Sequence, residues 1–148
     1  MIYFLDASAL AKRYVVEAGT ERVRQLFRRS ADIAVSRLSE VEVTSALVRR
    51  MKAGDIDTQV AEAHLAALTS DLAACDVVEL RTPVVGSARD LVRVHALRAY
   101  DAVQLASALR LKGRGSVTFL CADAELAAAA SAEKLRVERL GGRSRTSR

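Results

Sequence analysis

Four acidic residues that lie far apart in the sequence each stand beside a segment with a clear secondary-structure signal: Asp6, Glu42, Asp101 and Asp123. If the fold brings them together, their mutual repulsion is costly unless a positive charge lies between them. A divalent cation supplies that charge, and oxygen ligands without a neighbouring His or Cys favour magnesium or manganese over zinc. Asp6 is the most informative of the four, because an acid that ends a buried apolar strand has fewer structural explanations than the others.

Most of these positions also have a simpler structural interpretation. Ser39 and Glu42 match a capping box, in which the Glu42 carboxylate accepts a hydrogen bond from the Ser39 N–H. Asp101 and Asp123 stand where helix N-caps are expected, and Ser8 is a candidate cap for the first helix. The residues alone leave the capping and the metal-binding interpretations open.

The elements that must position these side chains alternate along the chain. Apolar runs predict strands at 2–6, 33–36, 77–80 and 117–121, and alternation of polar and apolar residues predicts a short edge strand at 136–140. Helical periodicity, caps and breaks predict helices at 8–17, 21–29, 39 to the break at Gly54, 58–73, 82–95, 101 to the break at Gly113, and 123–134. This alternation is typical of an α/β protein with a parallel sheet and helices on both faces.

The first strand is predicted to be central in that sheet, because its apolar run is uninterrupted. In open α/β sheets the carboxyl ends of the strands form the ligand crevice. The four acids are therefore expected at one edge of the sheet, where helix N termini also point. Thr20 is expected to cap the second helix, and the helices that begin at 39 and 58 are expected to form a hairpin.

The bulk composition narrows the function classes. The 148 residues are 51% hydrophobic, which predicts one domain with its own core; we expect it at 1–140, followed by a basic, disordered tail at 141–148. The formal net charge of +5 fits an anionic partner, nucleic acid first. Cys75 and Cys121 fit the reduced thiols of a cytoplasmic protein rather than a disulfide framework or a zinc site. No apolar stretch reaches the ~18 residues that a membrane span needs.

Four segments in chain order resemble the sequence blocks of PIN-domain proteins, with the spacing of the compact VapC-type toxins of bacterial toxin–antitoxin pairs. These segments are DASAL at 6–10, SRLSEVEV at 36–43, YDAVQLASA at 100–108 and FLCADAEL at 119–126. The resemblance covers nearly the whole chain except the basic tail. The motif spacing favours Glu42 over Glu40 as the acidic residue of the second block.

This resemblance implies a PIN-like three-layer α/β/α sandwich with a five-stranded parallel sheet. It also implies a metal-dependent endoribonuclease that acts as the toxin of a toxin–antitoxin pair, with Mg²⁺ (or Mn²⁺) at the edge of the sheet. Asp6, Asp101 and Asp123 would hold the metal directly or through water. Glu42 would bind metal or orient water, and Ser8 would donate a hydrogen bond to a water or a phosphate. The implied partners are an RNA substrate, a cognate antitoxin and a second copy of the chain in a homodimer.

Two other classes of protein stay open from the residues alone. A non-catalytic RNA-binding module with the same fold would use the acids as helix caps, and a phosphatase-like or receiver-like protein would also place an Asp after its first strand. Lys12 and Arg98, close in sequence to the predicted site, are the candidate phosphate contacts. Three Tyr, three Phe and no Trp argue against extensive base stacking. Small apolar residues at 61–68 are the candidate partner surface.

Overall fold

Five parallel strands form the central sheet of the computed structural model, which describes residues 1–141. The strands are β1 (Ile2–Leu5), β2 (Ile33–Ser36), β3 (Asp76–Val78), β4 (Val117–Cys121) and β5 (Arg136–Arg139). Their order across the sheet is β3-β2-β1-β4-β5, and every neighbouring pair is parallel. The five predicted strands are confirmed, and β1 is the central one, as its sequence predicts.

The uninterrupted apolar run of β1 follows from burial on both faces of the sheet. Successive side chains of a strand point to opposite faces. Phe4 belongs to one core cluster, where its ring stacks on that of Phe119 in β4 at a centroid distance of 5.6 Å. Leu5 belongs to the core cluster on the other face, and all three side chains are fully buried.

Helices cover both faces of the sheet, which confirms the predicted three-layer α/β/α sandwich. Within the described residues they are α1 (Ala7–Ala11), α2 (Thr20–Arg28), α3 (Leu38–Lys52), α4 (Thr58–Ala74), α5 (Thr82–His95), α6 (Ala99–Leu109) and α7 (Ala124–Ala132). Residues of α5, α6 and α7 pack in the cluster with Phe4, and residues of α1 to α4 pack in the cluster with Leu5. The helices α3 and α4 pack against each other, as the predicted hairpin requires.

The first helix is shorter than predicted. It ends at Ala11 rather than at 17, and the N–H groups of Arg13 and Tyr14 then bond three residues back, in turns. The Arg13 Nε and the Tyr14 hydroxyl both reach the Oδ2 of Asp71 in α4, at 2.6 and 2.7 Å. These contacts with α4 favour turns over further helix, and helical periodicity in the sequence does not reveal them.

Thr20 is the first residue of α2 rather than its cap, so the predicted capping role is wrong. Its hydroxyl accepts a hydrogen bond from the Glu17 N–H at 3.0 Å and donates one to the Val15 carbonyl at 3.1 Å. Gly19, with φ of 96°, occupies the cap position and offers no side chain for it. Thr20 therefore stabilises the turn between α1 and α2.

Three further predictions concern whole-chain properties. The tail predicted at 141–148 lies outside the described residues, apart from Gly141. Both Cys75 and Cys121 are free thiols, and Cys121 is buried at the end of β4. Among residues 1–141, no helix combines the length and the apolar character needed to cross a membrane.

Candidate active site

The four predicted acids lie at the carboxyl edge of the sheet. Asp6 directly follows β1, and Asp123 follows β4 after one intervening residue. Glu42 lies in the second turn of α3, after β2, and Asp101 lies in the first turn of α6. Burial raises the pKa of Asp6, and repulsion from Asp101 and Asp123 raises it further. Burial likewise raises the pKa of Glu42, and repulsion from Asp6 and Asp101 adds to that rise. The fold thus brings together side chains that are remote in sequence.

Asp6 has a structural role that its sequence position does not suggest. It is the N-cap of α1, and its Oδ1 accepts hydrogen bonds from the Ala9 N–H at 2.8 Å and the Ser8 hydroxyl at 2.7 Å. The residue is only 4% exposed. Burial raises its pKa to about 6, although the hydrogen bonds from Ser8 and Ala9 oppose that shift. Both bonds fall on Oδ1, so Oδ2 is the atom left to face a cation.

Ser8 lies inside the first turn of α1 and does not cap it. Its hydroxyl donates to Asp6 and accepts from the Ala122 N–H at 3.2 Å. Ser8 therefore joins the end of β1 to the residue that follows β4. Because its one proton is committed to Asp6, Ser8 in this state fixes that carboxylate and has no proton left for a water or a phosphate.

Glu42 does not take part in a capping box, so that interpretation of the sequence is wrong. The helix α3 begins at Leu38, its cap residue Arg37 makes no side-chain capping bond, and Ser39 is already inside the helix. The Oε1 of Glu42 is buried and has no hydrogen-bond partner in the described part of the chain. Burial, with repulsion from neighbouring acids, raises the pKa of Glu42 to about 7.

Glu40 and Glu42 have different surroundings. Glu40 is exposed and pairs with Arg37 at 3.0 Å, and Arg37 also pairs with Glu79 at 2.6 Å. Glu42 instead interacts with Asp6 and Asp101. The structure therefore places Glu42, rather than Glu40, with the other acids.

Asp101 and Asp123 differ in their structural roles. Asp123 is the N-cap of α7, where its Oδ2 accepts a hydrogen bond from the Leu126 N–H at 2.8 Å, as the sequence predicts. Asp101 is the third residue of α6 and is not its cap, so that prediction is wrong. Burial, and then the charge of Asp123, raise the pKa of Asp101, whereas Arg98 lowers it.

The donors at this edge fit a hydrated Mg²⁺ or Mn²⁺. Among residues 1–141, no three His, Cys, Asp or Glu side chains lie close enough together to hold an ion as a ready-made cluster. Mg²⁺ usually keeps several of its waters and binds through one or two carboxylates plus a substrate phosphate, so it needs no such cluster. The oxygen-only donor set and the mutual repulsion of the acids both favour such a cation.

The two basic residues predicted to contact phosphate have different fates. Lys12 is only 4% exposed and its Nζ pairs with Glu17 at 3.0 Å, so it is not available to a substrate. Arg98 is exposed beside Asp101, and its Nη1 donates to the Tyr100 hydroxyl at 2.9 Å. Of the pair, only Arg98 keeps an exposed guanidinium at the acidic edge.

A groove of about 490 Å³ opens next to Glu42. We call it the α1–α3 groove, since residues of these two helices and Tyr100 line it. Val41 and Tyr100 are 67% and 45% exposed there, and Arg49 lines the groove further along α3. The groove offers apolar contact surface beside the acids.

Gln104 is the residue at this site that sequence reasoning misses. It lies on α6, one turn after Asp101, and is 1% exposed. Its Nε2 donates to the Ser39 hydroxyl of α3 at 2.9 Å, whereas its Oε1 is buried without a partner among the described residues. The available signal is an amide inside a helix whose other buried side chains are small or apolar.

The chain is an α/β protein: a five-stranded parallel sheet lies between two layers of helices, and acidic side chains gather at the carboxyl edge of that sheet. The PIN domain family model matches residues 3–132, and the chain belongs to that family. Ribonucleases VapC45 and VapC49, from two strains of Mycobacterium tuberculosis, are each 37% identical to it over 121 residues, which cover 79% of this chain and 81% of each relative.

Solved structures share the fold at lower identity. The structure of VapBC2 from Rickettsia felis, bound to a DNA fragment from its promoter, superposes with a TM-score of 0.66 at 13% identity, over 95% of this chain and 100% of that one. A toxin–antitoxin complex from Klebsiella pneumoniae gives 0.55 at 15% identity, over 78% and 83%. These likenesses support the fold assignment.

Proposed function

We propose that this protein is a metal-dependent endoribonuclease that hydrolyses RNA phosphodiester bonds and acts as the toxin of a toxin–antitoxin pair. The observation that carries the proposal is the gathering of Asp6, Glu42, Asp101 and Asp123 at the carboxyl edge of the sheet, where burial, and then neighbouring acids, raise the pKa values of the first three. Like charges held this close are costly unless something positive lies between them. The ribonuclease names of the relatives at 37% identity support RNA as the substrate.

The roles of the acids follow from their hydrogen bonds. A bound Mg²⁺ or Mn²⁺ would lower the pKa of a water and offset the charge of the phosphate. Asp6, fixed through Oδ1 by Ser8, would hold the cation with Oδ2. Asp123, whose Oδ2 caps α7, has Oδ1 free for the same purpose. Asp101 and Glu42 would complete the set by binding the cation or its waters.

The remaining side chains would bind the substrate and orient the metal ligands. Arg98 offers a guanidinium for a phosphate next to Asp101. Ser8 keeps the Asp6 carboxylate in one orientation and ties it to the end of β4 through Ala122. The net charge of +5 supports binding to an RNA backbone, and with few aromatic residues recognition would depend on phosphate and RNA shape.

The partners belong to the same proposal. A cognate antitoxin would cover the α1–α3 groove, which is supported by its exposed apolar residues and by the fold shared with a toxin–antitoxin complex. A homodimer would use the exposed alanines of α4, Ala63, Ala66 and Ala67, since Ala61 and Leu68 are buried in the chain's own core. We place the enzyme in the cytoplasm, with its RNA substrate.

The test is cleavage of structured RNA by the purified protein without an antitoxin, in Mg²⁺ or Mn²⁺. We expect cleavage by the wild type, and none in excess EDTA or in Asp6→Asn and Asp101→Asn. The matched control is Asp57→Asn, because Asp57 also caps a helix, α4, but lies outside the acidic group. Activity that survives EDTA or both site variants would refute the proposed mechanism.

Two other outcomes would favour the competing classes. RNA binding by the wild type without cleavage, unchanged by metal, would indicate a non-catalytic RNA-binding module. Hydrolysis of small phosphate esters, with none of RNA, would indicate a phosphatase-like protein.

A further inference from the structure

Two buried side-chain oxygens, one on α3 and one on α6, have no hydrogen-bond partner in the part of the chain that the structure describes. One is the Oε1 of Glu42 and the other is the Oε1 of Gln104. Gln104 is 1% exposed, and Ser39, whose hydroxyl accepts a hydrogen bond from the Gln104 Nε2 at 2.9 Å, is fully buried. Buried polar groups without partners are uncommon in folded proteins because each loses its hydrogen bonds to water.

A half-turn of the Gln104 amide about its last side-chain bond would give its own Oε1 a partner and would free its N–H for Glu42. The turn exchanges Oε1 and Nε2 and leaves the carbon atoms in place. The Ser39 hydroxyl, which can donate as well as accept, then donates to Oε1. The freed Nε2 can then donate to the Glu42 carboxylate, because Glu42 lies one helical turn after Ser39 on α3. A hydrogen bond from the Gln104 amide opposes the rise in the Glu42 pKa.

We propose that Gln104 is a positioning residue, anchored by Ser39, whose amide N–H holds the Glu42 carboxylate in the orientation in which it receives the divalent cation. This inference rests on the proposed function, because it assigns Glu42 to the metal site. It adds two residues, on facing helices, that touch neither metal nor substrate. Partners of this kind fix the ligand's geometry, and their loss typically weakens metal binding by 10- to 100-fold.

A purely structural role for Gln104 makes a different prediction. In that case the amide only links α6 to α3 through Ser39, and its loss perturbs the packing of both helices. Such a perturbation would weaken metal binding to the same degree whether or not Glu42 carries its charge. A positioning role acts through Glu42, so its effect disappears once that carboxylate is removed.

The experiment measures the Kd of Mn²⁺ for the RNA-free protein, by electron paramagnetic resonance of the unbound ion. The variants are Gln104→Met, Glu42→Gln, the double variant and Ser39→Ala. Gln104→Met keeps the side-chain length and removes the amide. The control is Ser107→Ala. Ser107 lies one turn after Gln104 on α6, and its buried hydroxyl donates to the Val103 carbonyl of the same helix.

We expect Gln104→Met to raise the Kd about 10-fold in the wild-type background and to leave it unchanged in the Glu42→Gln background. Ser39→Ala, which leaves the amide in place, should raise the Kd by less and should also have no effect without Glu42. Ser107→Ala should bind Mn²⁺ like the wild type. Because Ser39→Ala removes only a hydroxyl, it keeps the inference testable if Gln104→Met does not fold.

The outcomes separate this inference from the proposed function. If Mn²⁺ binds the wild type and is lost in Asp6→Asn, but Gln104→Met and Ser39→Ala bind as the wild type does, the inference on Gln104 is overturned and the metal site stands. Equal weakening by Gln104→Met with and without Glu42 also overturns it. No Mn²⁺ binding by the RNA-free wild type overturns the inference on Gln104, whereas RNA cleavage that EDTA abolishes would still support the proposed function, because a substrate phosphate can complete the metal site.

Discussion

Replacing Asp6 by asparagine is expected to stabilise the metal-free protein at alkaline pH and to remove its response to divalent metal. Asparagine is as good an N-cap as aspartate, so Asp6→Asn keeps an oxygen for the Ala9 N–H and the Ser8 hydroxyl. What it removes is a buried negative charge that Asp101 and Asp123 repel. The variant therefore separates the capping role of Asp6 from its charge.

The size of the effect follows from the pKa of Asp6, which burial, and then repulsion, raise from 3.8 to about 6. A pKa that is higher in the folded state means that folding favours the protonated acid. The stability from this group is therefore full below about pH 4 and is lost as the pH rises through about 6. A difference of about two pKa units means that the wild type loses roughly 3 kcal/mol of its free energy of unfolding by pH 8. Asp6→Asn has no charge to acquire at this position, so it does not show this loss.

The assay is urea unfolding at pH 4 and pH 8, in EDTA. We expect Asp6→Asn and the wild type to unfold alike at pH 4, and the variant to be more stable by up to about 3 kcal/mol at pH 8. Asp57→Asn is the matched control, since Asp57 is an exposed cap that accepts from the Val60 N–H at 2.8 Å, and it should match the wild type at both pH values.

The reasoning is refuted if Asp6→Asn changes stability equally at both pH values, or destabilises the protein at pH 8. With Mn²⁺ at pH 8, the wild type should gain stability in proportion to its metal binding, and Asp6→Asn should gain much less. An equal gain for both proteins would remove Asp6 from the metal site.

Three further predictions concern single residues. Asp71→Ala leaves the Arg13 guanidinium and the Tyr14 hydroxyl without their shared partner, so the free energy of unfolding in urea should fall by about 3 kcal/mol. Asp71→Asn can still bond to Tyr14 and should fall by less. Gly19→Ala should cost at least about 1 kcal/mol in the same assay, because φ is 96° there and a Cβ would meet a neighbouring side chain at 3.0 Å. Asp123→Asn should abolish RNA cleavage with unchanged stability, whereas Asp123→Ala should also lose the cap, about 1 kcal/mol; if Asp123→Asn still cleaves RNA, Asp123 is not part of the site.

Most of the fold could be predicted because its signals are local. Four strands are visible in the sequence as apolar runs and the fifth as an alternating segment. The predicted boundaries of α2 to α7 differ from the observed ones by up to three residues. The central position of β1 follows from an apolar run that only burial on both faces explains. The alternation of strands and helices then leaves few arrangements other than a parallel sheet with two covering layers.

Two of the errors, at the end of α1 and at Ser39, depend on contacts between distant segments. The end of α1 depends on Asp71, 58 residues after Arg13 in the sequence. Ser39 looks like a helix cap in the sequence, but its hydroxyl is used by Gln104, 65 residues away. Lys12 looks like a phosphate contact, but the fold buries it against Glu17. Sequence reasoning located the acids and could not say what surrounds each of them.

The site also shows why the capping and metal-binding interpretations of an acid need not exclude each other. A carboxylate has two oxygens, and a helix cap uses one. At Asp6 both hydrogen bonds fall on Oδ1, and at Asp123 the capping bond falls on Oδ2, so each keeps a second oxygen for a cation. The caps also fix the orientation of that second oxygen, because the first is tied to the start of a helix. Helices that begin at the carboxyl edge of a parallel sheet thus place rigid carboxylates where the ligand crevice lies, and the folding of α1 and α7 would itself orient these two side chains for the proposed metal.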